Sequence, residues 1–107
     1  MITMHTVYIH SSRGFVNADQ IESILYSEPN KIDVKIGQIE DESSVYTIYC
    51  GKAVNRELAV IKILSLINEA KLESSKNQKA VILDFIEDID NHKAYVINRS
   101  RLKSRNV

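Results

Sequence analysis

The sequence predicts an α+β fold in which an antiparallel sheet of about four strands is packed by one long helix, then a shorter helix and a short final strand. Three observations support this prediction. Segments rich in β-branched and aromatic residues recur in the N-terminal half, and polar turns separate them. A long apolar repeat of helical period follows Asn55. The loops between the strand segments are short, which favours antiparallel neighbours.

The first two predicted strands lie before Pro29. Residues 6–10 form the first strand, and turn-forming residues at 11–14 end it. Side chains in the Asn17–Asp19 segment can hydrogen-bond to nearby backbone groups, which favours a turn before the second strand, Ile21 to Tyr26. Pro29 ends this strand because proline has no N–H group to donate to a ladder.

Two further strands are expected between residues 32 and 50. Residues 32–36 alternate strictly, with Asp33 and Lys35 between apolar side chains, and this pattern is typical of a strand with one face in water. A polar turn at residues 40–44 leads to Val45–Cys50, a segment dense in good strand formers. We expect this strand to end at the glycine that follows it.

A long helix is predicted from Arg56 to Leu72. Asn55 is suited to cap its N-terminus, and Glu57 places an acid in the first turn, where the helix dipole favours it. One broad apolar face suits packing on a sheet; it consists of Ala59, Val60, Ile63, Leu64, Leu66, Ile67 and Ala70. Leu58, Ile61 and Leu72 fall outside that face. We expect a later segment of the chain, or a partner, to cover these three residues.

The segment after the long helix allows two interpretations. A polar linker is expected at residues 73–79. The apolar positions of Ala80–Ile89 fit the helical period, and a shorter helix is the favoured prediction. The alternative is a strand, because Val81, Leu83 and Phe85 also alternate and a turn at the following residues could close a hairpin.

The chain is expected to form one domain, residues 1–98, which ends in a short final strand, followed by a flexible basic C-terminal tail at residues 99–107. The formal net charge is zero, yet the charges are segregated. Residues 91–107 carry five basic side chains and no acidic ones, whereas residues 1–90 carry nine basic and fourteen acidic side chains.

The composition argues for a soluble protein of the cytoplasm. Cys50 is the only cysteine, so no disulfide can form within the chain, and an unpaired thiol suits a reducing compartment. The N-terminal residues have no basic segment followed by an apolar run, and no apolar stretch reaches the length of a membrane span. We therefore expect a cytoplasmic location and no membrane contact.

No residue pattern predicts a reaction. Cys50 is the one candidate nucleophile, but the three histidines are distant in sequence and none can be assigned to it as a base. Residues 88–92 are rich in oxygen ligands, yet Lys93 and Arg99 stand where a helix-flanked calcium loop needs glycine and glutamate. We predict no cofactor, no metal site and no enzymatic activity.

The favoured function is a non-enzymatic module that binds another protein, either a host protein or a second copy of the chain. The apolar residues left over on the long helix are one candidate surface. A second is an acidic group whose spacing of three and four residues would align it on the shorter helix. The predicted partner-binding residues are Leu58, Ile61, Leu72, Asp84, Glu87 and Asp88.

The alternative function is nucleic-acid binding through the basic tail, because lysine and arginine neutralise phosphates whatever the sequence. No zinc-finger, helix-turn-helix or RNA-binding motif accompanies the tail. The residues of this alternative site are Arg99, Arg101, Lys103 and Arg105.

From Thr6 to Lys71 the chain carries a leading strand, a turn, the motif Val16-Asn-x-Asp19, a two-strand meander and one terminal helix. In this order of elements, and in its content of Ile, Lys and Asn, it resembles short uncharacterised proteins of phages and mobile elements in low-GC Gram-positive bacteria. The resemblance implies a phage or plasmid accessory protein, for example an inhibitor of a host defence nuclease. It implies no mechanism, and it does not extend to residues 74–107.

Overall fold

The computed structural model describes residues 6–37 and 44–97. Within these residues the structure has seven strands and one long α-helix, so the α+β class is confirmed. The elements are, in chain order, β1 (Val7–Ser11), β2 (Gly14–Asn17), a 3-10 helix (Ala18–Gln20), β3 (Ile21–Glu28), β4 (Lys31–Ile36), β5 (Val45–Cys50), α1 (Arg56–Asn77), β6 (Ala80–Asp84) and β7 (Lys93–Ile97).

The strands form two sheets instead of the one sheet of about four strands that the sequence predicts. The first sheet is mixed and has the order β2-β1-β6-β7, in which β1 and β6 run parallel and the other neighbours antiparallel. The second sheet is antiparallel, in the order β3-β4-β5. The prediction missed β2, which is only four residues long, and β6, whose apolar pattern also fits a helix.

The shorter helix predicted for Ala80–Ile89 is wrong, because this segment begins with strand β6. Val81 pairs with Val7 and Leu83 with Ile9 in the parallel ladder between β1 and β6. All four side chains are buried. β6 then continues into an antiparallel hairpin with β7, so the alternative interpretation of this segment matches the structure.

Helix α1 begins at the predicted residue and ends five residues later than predicted, at Asn77 instead of Leu72. At its start, Asn55 Oδ1 accepts a hydrogen bond of 3.1 Å from the Leu58 N–H group. At its end, Gln78 takes a left-handed conformation with φ 53° and donates its N–H group to the carbonyl oxygen of Ser74. The polar residues after position 72 continue the helix because Ser74 is buried and its hydroxyl group donates to the Lys79 carbonyl oxygen.

Side chains from both sheets and from α1 form one hydrophobic cluster. The helix lies against β6 and β1, in the middle of the first sheet. Its buried residues are Ala59, Ile63, Leu66, Ile67, Ala70 and Ser74. Leu64, which the helical repeat places on the core face, is exposed instead.

The second sheet meets the first along the outer edge of β5. The Ser12 N–H group, in the turn after β1, donates to the Thr47 carbonyl oxygen over 2.9 Å. The Cys50 N–H group donates to the carbonyl oxygen of Ile86, in the loop after β6, over 2.6 Å. Main-chain groups of β5 that face away from β4 thereby find partners at Thr47 and at Cys50, the last residue of the strand.

Strand β4 departs from the expected alternation at Asp33. This side chain is buried, although the sequence pattern places it on a face in water. The departure is in burial and not in direction, because the register shift beside Asp33 comes from an extra residue on β5: Ile32 pairs with Tyr49 and Asp33 with Thr47, which leaves Ile48 unpaired. Thr47 Oγ1 donates a hydrogen bond of 2.8 Å to Asp33 Oδ1, which offsets part of the cost of removing the carboxylate from water.

Candidate interaction surfaces

The side of α1 that faces away from the sheets carries large apolar residues in contact with solvent. We call this surface the outer face of α1; it consists of Leu58, Ile61, Leu64 and Leu72. Leu58 and Leu72 are each 65% exposed and Ile61 is 60% exposed. In the described residues, no later segment covers them, because β6 lies beneath α1 and not beside it. Their role in binding stays a prediction.

Three residues of the outer face of α1, Leu58, Ile61 and Leu72, lie on one line of the helix together with two polar residues. Leu58, Ile61, Ser65, Asn68 and Leu72 follow one another at alternating intervals of three and four residues, which aligns them along one line of the helix. This interval is the one found in the seam of packed helices. The two middle residues are polar and exposed, so the line is apolar at both ends and polar at its centre.

The acidic residues predicted to share a helical face do not share one. Asp84 ends β6, and its Oδ1 atom lies 3.5 Å from Nδ1 of His10 on the neighbouring strand β1. Glu87 and Asp88 are exposed in the loop between β6 and β7. The spacing that grouped the three residues requires a helix, and β6 is a strand.

Asp88 has a structural role in that loop. Its carboxylate accepts hydrogen bonds from the Asn91 side chain over 2.9 Å and from the Asp90 N–H group over 3.0 Å. These bonds, with that of Asn91 the larger, lower the pKa of Asp88 below its ordinary value. The carboxylate therefore holds the turn that brings the chain back into β7.

A cavity of about 540 Å³ lies between the N-terminus of α1 and the loop before β7. On one wall, the Lys62 ammonium group contacts Asp90 Oδ1 over 3.2 Å. Tyr49 also lines the cavity. Burial raises the pKa of its hydroxyl group, and the negative charge of Asp88 raises it further. Because Lys52 and Lys62 face carboxylates of the loop, the cavity has no predominant charge that would select a ligand.

A smaller groove of about 260 Å³ runs between α1 and β7, and we call it the β7 groove. Its floor contains the buried side chains of Val81 and Leu83, and Glu69 and Glu73 stand one turn apart on its α1 side. The other lining residues are Leu66, Ala70, His92, Ala94 and Val96. The Nδ1 atom of His92 is buried without a hydrogen-bond partner among the described residues.

The β7 groove does not follow from sequence reasoning, because it exists only when residues 80–97 form a hairpin beside α1. Two signals were nevertheless present. Glu69 and Glu73 are four residues apart, although Glu73 lies just beyond the predicted end of the helix, and Ala94 and Val96 are two residues apart on the predicted final strand. Only the pairing of β6 with β1 brings the two pairs together.

The other candidate sites have weaker structural support. Cys50 is exposed at the end of β5, and among the described residues no group of three His, Cys, Asp or Glu side chains could hold a metal ion. No helix in the described ranges combines the length and apolar character that a membrane crossing requires. The predicted nucleic-acid-binding residues, Arg99, Arg101, Lys103 and Arg105, lie outside the described residues. That alternative stays a prediction.

No protein-family model matches the chain, and no curated protein or solved structure was found to be similar to it. The resemblance of Thr6–Lys71 to phage and mobile-element proteins therefore stays a prediction. Support for a function comes from the outer face of α1 and from the β7 groove.

Proposed function

We propose that the protein is a non-enzymatic module that binds another protein through the outer face of α1. The observation that carries this proposal is the exposure of Leu58, Ile61 and Leu72, each at least 60%, on a helix whose opposite side is buried in the core. Single apolar residues are common on protein surfaces, whereas a row of them on one helix is typical of a contact surface.

The partner that fits this surface best is an amphipathic helix. Alternating intervals of three and four residues suit a helix laid along α1, with side chains of each helix between those of the other. Burial of Leu58, Ile61 and Leu72 would contribute roughly 1.5–3 kcal/mol for each side chain, part of which offsets the entropy lost on association. Ser65 and Asn68 at the centre favour a partner with polar side chains there, which fixes the register.

One concrete form of this function is an accessory protein of a phage or mobile element that inhibits a host nuclease. The resemblance of residues 6–71 supports it. The neighbours of the gene test it, because a position among phage or plasmid genes supports this form and a position inside a housekeeping operon contradicts it.

A variant of the outer face tests the proposed function itself. We would combine Leu58→Gln, Ile61→Gln and Leu72→Gln, and compare this protein with a control that carries Phe15→Gln, Leu25→Gln and Tyr26→Gln. The control makes the same number of substitutions at exposed apolar residues of β2 and β3, outside α1. Tagged proteins would be used to isolate a partner from the native host. Each isolated partner would then be purified and titrated by calorimetry.

The proposal expects the wild type and the control to bind the purified partner with equal affinity, and the outer-face variant to bind at least about a hundredfold more weakly. Equal affinity of all three proteins would contradict it. A dimer seen by light scattering and lost only in the outer-face variant would identify a second copy as the partner. Oligonucleotide binding that disappears when the chain is shortened after Asn98 would favour the nucleic-acid alternative instead.

A further inference from the structure

We propose that the β7 groove is a second binding site, which takes an extended basic peptide as an added strand of the first sheet. The site is separate from the outer face of α1 and does not depend on the function proposed for that surface. Three properties of the described residues carry this inference: an open strand edge, an apolar floor and a pair of carboxylates.

The first property is the open edge of β7. This strand is the last in the order β2-β1-β6-β7 and pairs with β6 from Ala80 opposite Ile97 to Asp84 opposite Lys93. In the described part of the chain no strand pairs with its other side. Every second residue of such a strand directs its N–H and C=O groups away from the sheet, where a further strand can bind them.

The edge of β7 lacks most of the features that prevent strand addition. It has no proline and no register shift against β6, and Lys93 at its first position is its only charged residue. Tyr95 is 50% exposed and Val96 is 48% exposed, so large apolar surface lies next to the unpaired backbone groups. An added strand would cover both.

The second property is the space beside the edge. Ala94 and Val96 line the β7 groove, whereas Tyr95, between them, points to the other face of the sheet. Helix α1 packs on β6 and β1 and does not extend over β7. In the described residues, the face of β7 on the same side of the sheet as α1 is therefore uncovered. A strand added to β7 would therefore direct every second side chain into the groove, over Val96 and toward α1.

The third property is charge. Glu69 and Glu73 stand on the α1 side of the groove, and in the described residues neither forms an ion pair. The Asn77 amide group contacts Oε2 of Glu73, which leaves the other carboxylate oxygen for a ligand. Two lysines of α1 are engaged elsewhere, since Lys62 pairs with Asp90 and Lys71 with Asp19, and Lys76 forms no ion pair with either glutamate among the described residues.

These properties together define the ligand. Arginine or lysine at every second position of an extended peptide would lay its aliphatic part over Val96 and place its charged group at Glu69 and Glu73. Backbone hydrogen bonds to β7 would supply affinity, and the two carboxylates would supply preference for basic side chains. The ligand class is therefore an extended peptide with alternating basic residues.

The test uses a fluorescent octapeptide of alternating arginine and threonine, measured by fluorescence anisotropy with the full chain. Two peptides serve as controls. One has the same sequence with every backbone nitrogen methylated, so that it keeps its charge but cannot donate hydrogen bonds to β7. The other has glutamate in place of arginine. We expect binding of the first peptide, and binding at least tenfold weaker for both controls.

A double variant, Glu69→Lys with Glu73→Lys, tests the carboxylates. Its matched control is Glu22→Lys with Glu28→Lys, which makes the same change of net charge at exposed positions of β3. The groove variant should bind the arginine peptide at least tenfold more weakly and should now bind the glutamate peptide, whereas the control should behave as the wild type does. The outer-face variant of α1 should also bind the arginine peptide normally, so the two proposals fail independently.

Three results would overturn the proposal. Equal binding of the methylated and unmethylated peptides would show attraction without strand addition. Equal loss in the groove variant and its control would show that only net charge matters. A dimer that the arginine peptide does not dissociate would show that a second copy occupies the edge of β7.

Discussion

The Tyr49 hydroxyl group donates a hydrogen bond of 2.6 Å to the main-chain carbonyl oxygen of Lys52. This bond fixes the chain just after β5, and the Val54 N–H group, two residues further on, donates to the Pro29 carbonyl oxygen over 3.0 Å. The segment that leads into α1 is thus attached both to its own strand and to the turn between β3 and β4. The position of Leu58, the first residue of the outer face, depends on these contacts.

Tyr49→Phe removes this hydrogen bond and should lower the free energy of unfolding by about 1 kcal/mol at neutral pH. The wild type should also lose stability at alkaline pH. Burial raises the pKa of Tyr49 above its ordinary value of 10.0, so the folded state keeps the proton at a pH where the unfolded state has released it. The stabilisation is complete below the ordinary value and is lost as the pH rises through the raised one.

Urea unfolding between pH 8 and pH 11 checks both parts of this prediction. The fall in unfolding free energy above pH 10 should be smaller in Tyr49→Phe than in the wild type. Tyr26→Phe, at an exposed tyrosine of β3, is the control and should follow the wild type. An identical alkaline fall in all three proteins would contradict the assigned role of Tyr49.

Gly51→Ala should destabilise the protein by about 1–3 kcal/mol or more, because no space exists for a methyl group there. A Cβ atom at this position would overlap the Glu87 carbonyl oxygen and would lie 2.9 Å from the Tyr49 hydroxyl oxygen. The backbone cannot easily move away, since the Cys50 N–H group is bonded to the neighbouring Ile86 carbonyl oxygen.

Thermal unfolding compares Gly51→Ala with Lys52→Ala, a change at the adjacent exposed residue that should cost less than about 0.5 kcal/mol. The same melting temperature for both variants would mean that the loop after β6 is not in close contact with Gly51.

Asp88 should make the stability fall at acid pH. Its pKa lies below the ordinary value of 3.8 because the Asn91 side chain and backbone groups of the loop donate hydrogen bonds to the carboxylate. The carboxylate stabilises the folded state above that ordinary value, and the effect is lost as the pH falls through the lowered one. Asp88→Ala should therefore melt earlier than the wild type at pH 7 and lose less on acidification to pH 2. Glu87→Ala, at the preceding exposed residue, should keep the acid sensitivity of the wild type, and a matching loss of sensitivity there would refute the role of Asp88.

Local interactions explain which parts of the fold could be predicted from the sequence. The start of α1 could be predicted, because Asn55 caps the helix by a hydrogen bond to a residue only three positions away. Strand β6 could not be predicted with the same certainty of type, because its apolar residues fit both a helical and an extended pattern. The interaction that decides between them is the pairing of Val81 and Leu83 with β1, near the other end of the chain.

The candidate surfaces also divide into features set by local sequence and features set by contacts between distant segments. The position of Leu58, Ile61 and Leu72 outside the core face follows from the helical repeat alone, whereas their exposure depends on where the later strands lie. The exposure of Leu64 does not follow from the repeat, because it depends on how far the sheets extend beneath α1, and the helix rests mainly on β6 and β1. The β7 groove depends on the hairpin of β6 and β7, so no pattern within a single segment could reveal it.

Two isoleucines of α1 allow a direct comparison of its faces. Ile63 is fully buried in the core and Ile61 is 60% exposed, although they lie only two residues apart on one helix. Ile63→Ala should lower the free energy of unfolding by about 2–5 kcal/mol, since it removes buried methyl groups and leaves a cavity. Ile61→Ala should change it by less than about 0.5 kcal/mol, because water already contacts this side chain in the folded state.

Chemical unfolding at low and high protein concentration measures both changes. A cost of Ile61→Ala that grows with protein concentration would show that a second copy covers the outer face of α1, since association adds to stability by mass action. A large cost at every concentration would mean that the outer face is packed within the chain, and the proposed protein-binding surface would then not exist. A small cost at every concentration leaves the apolar row without a structural role in the isolated chain, as expected for residues whose contacts belong to a partner.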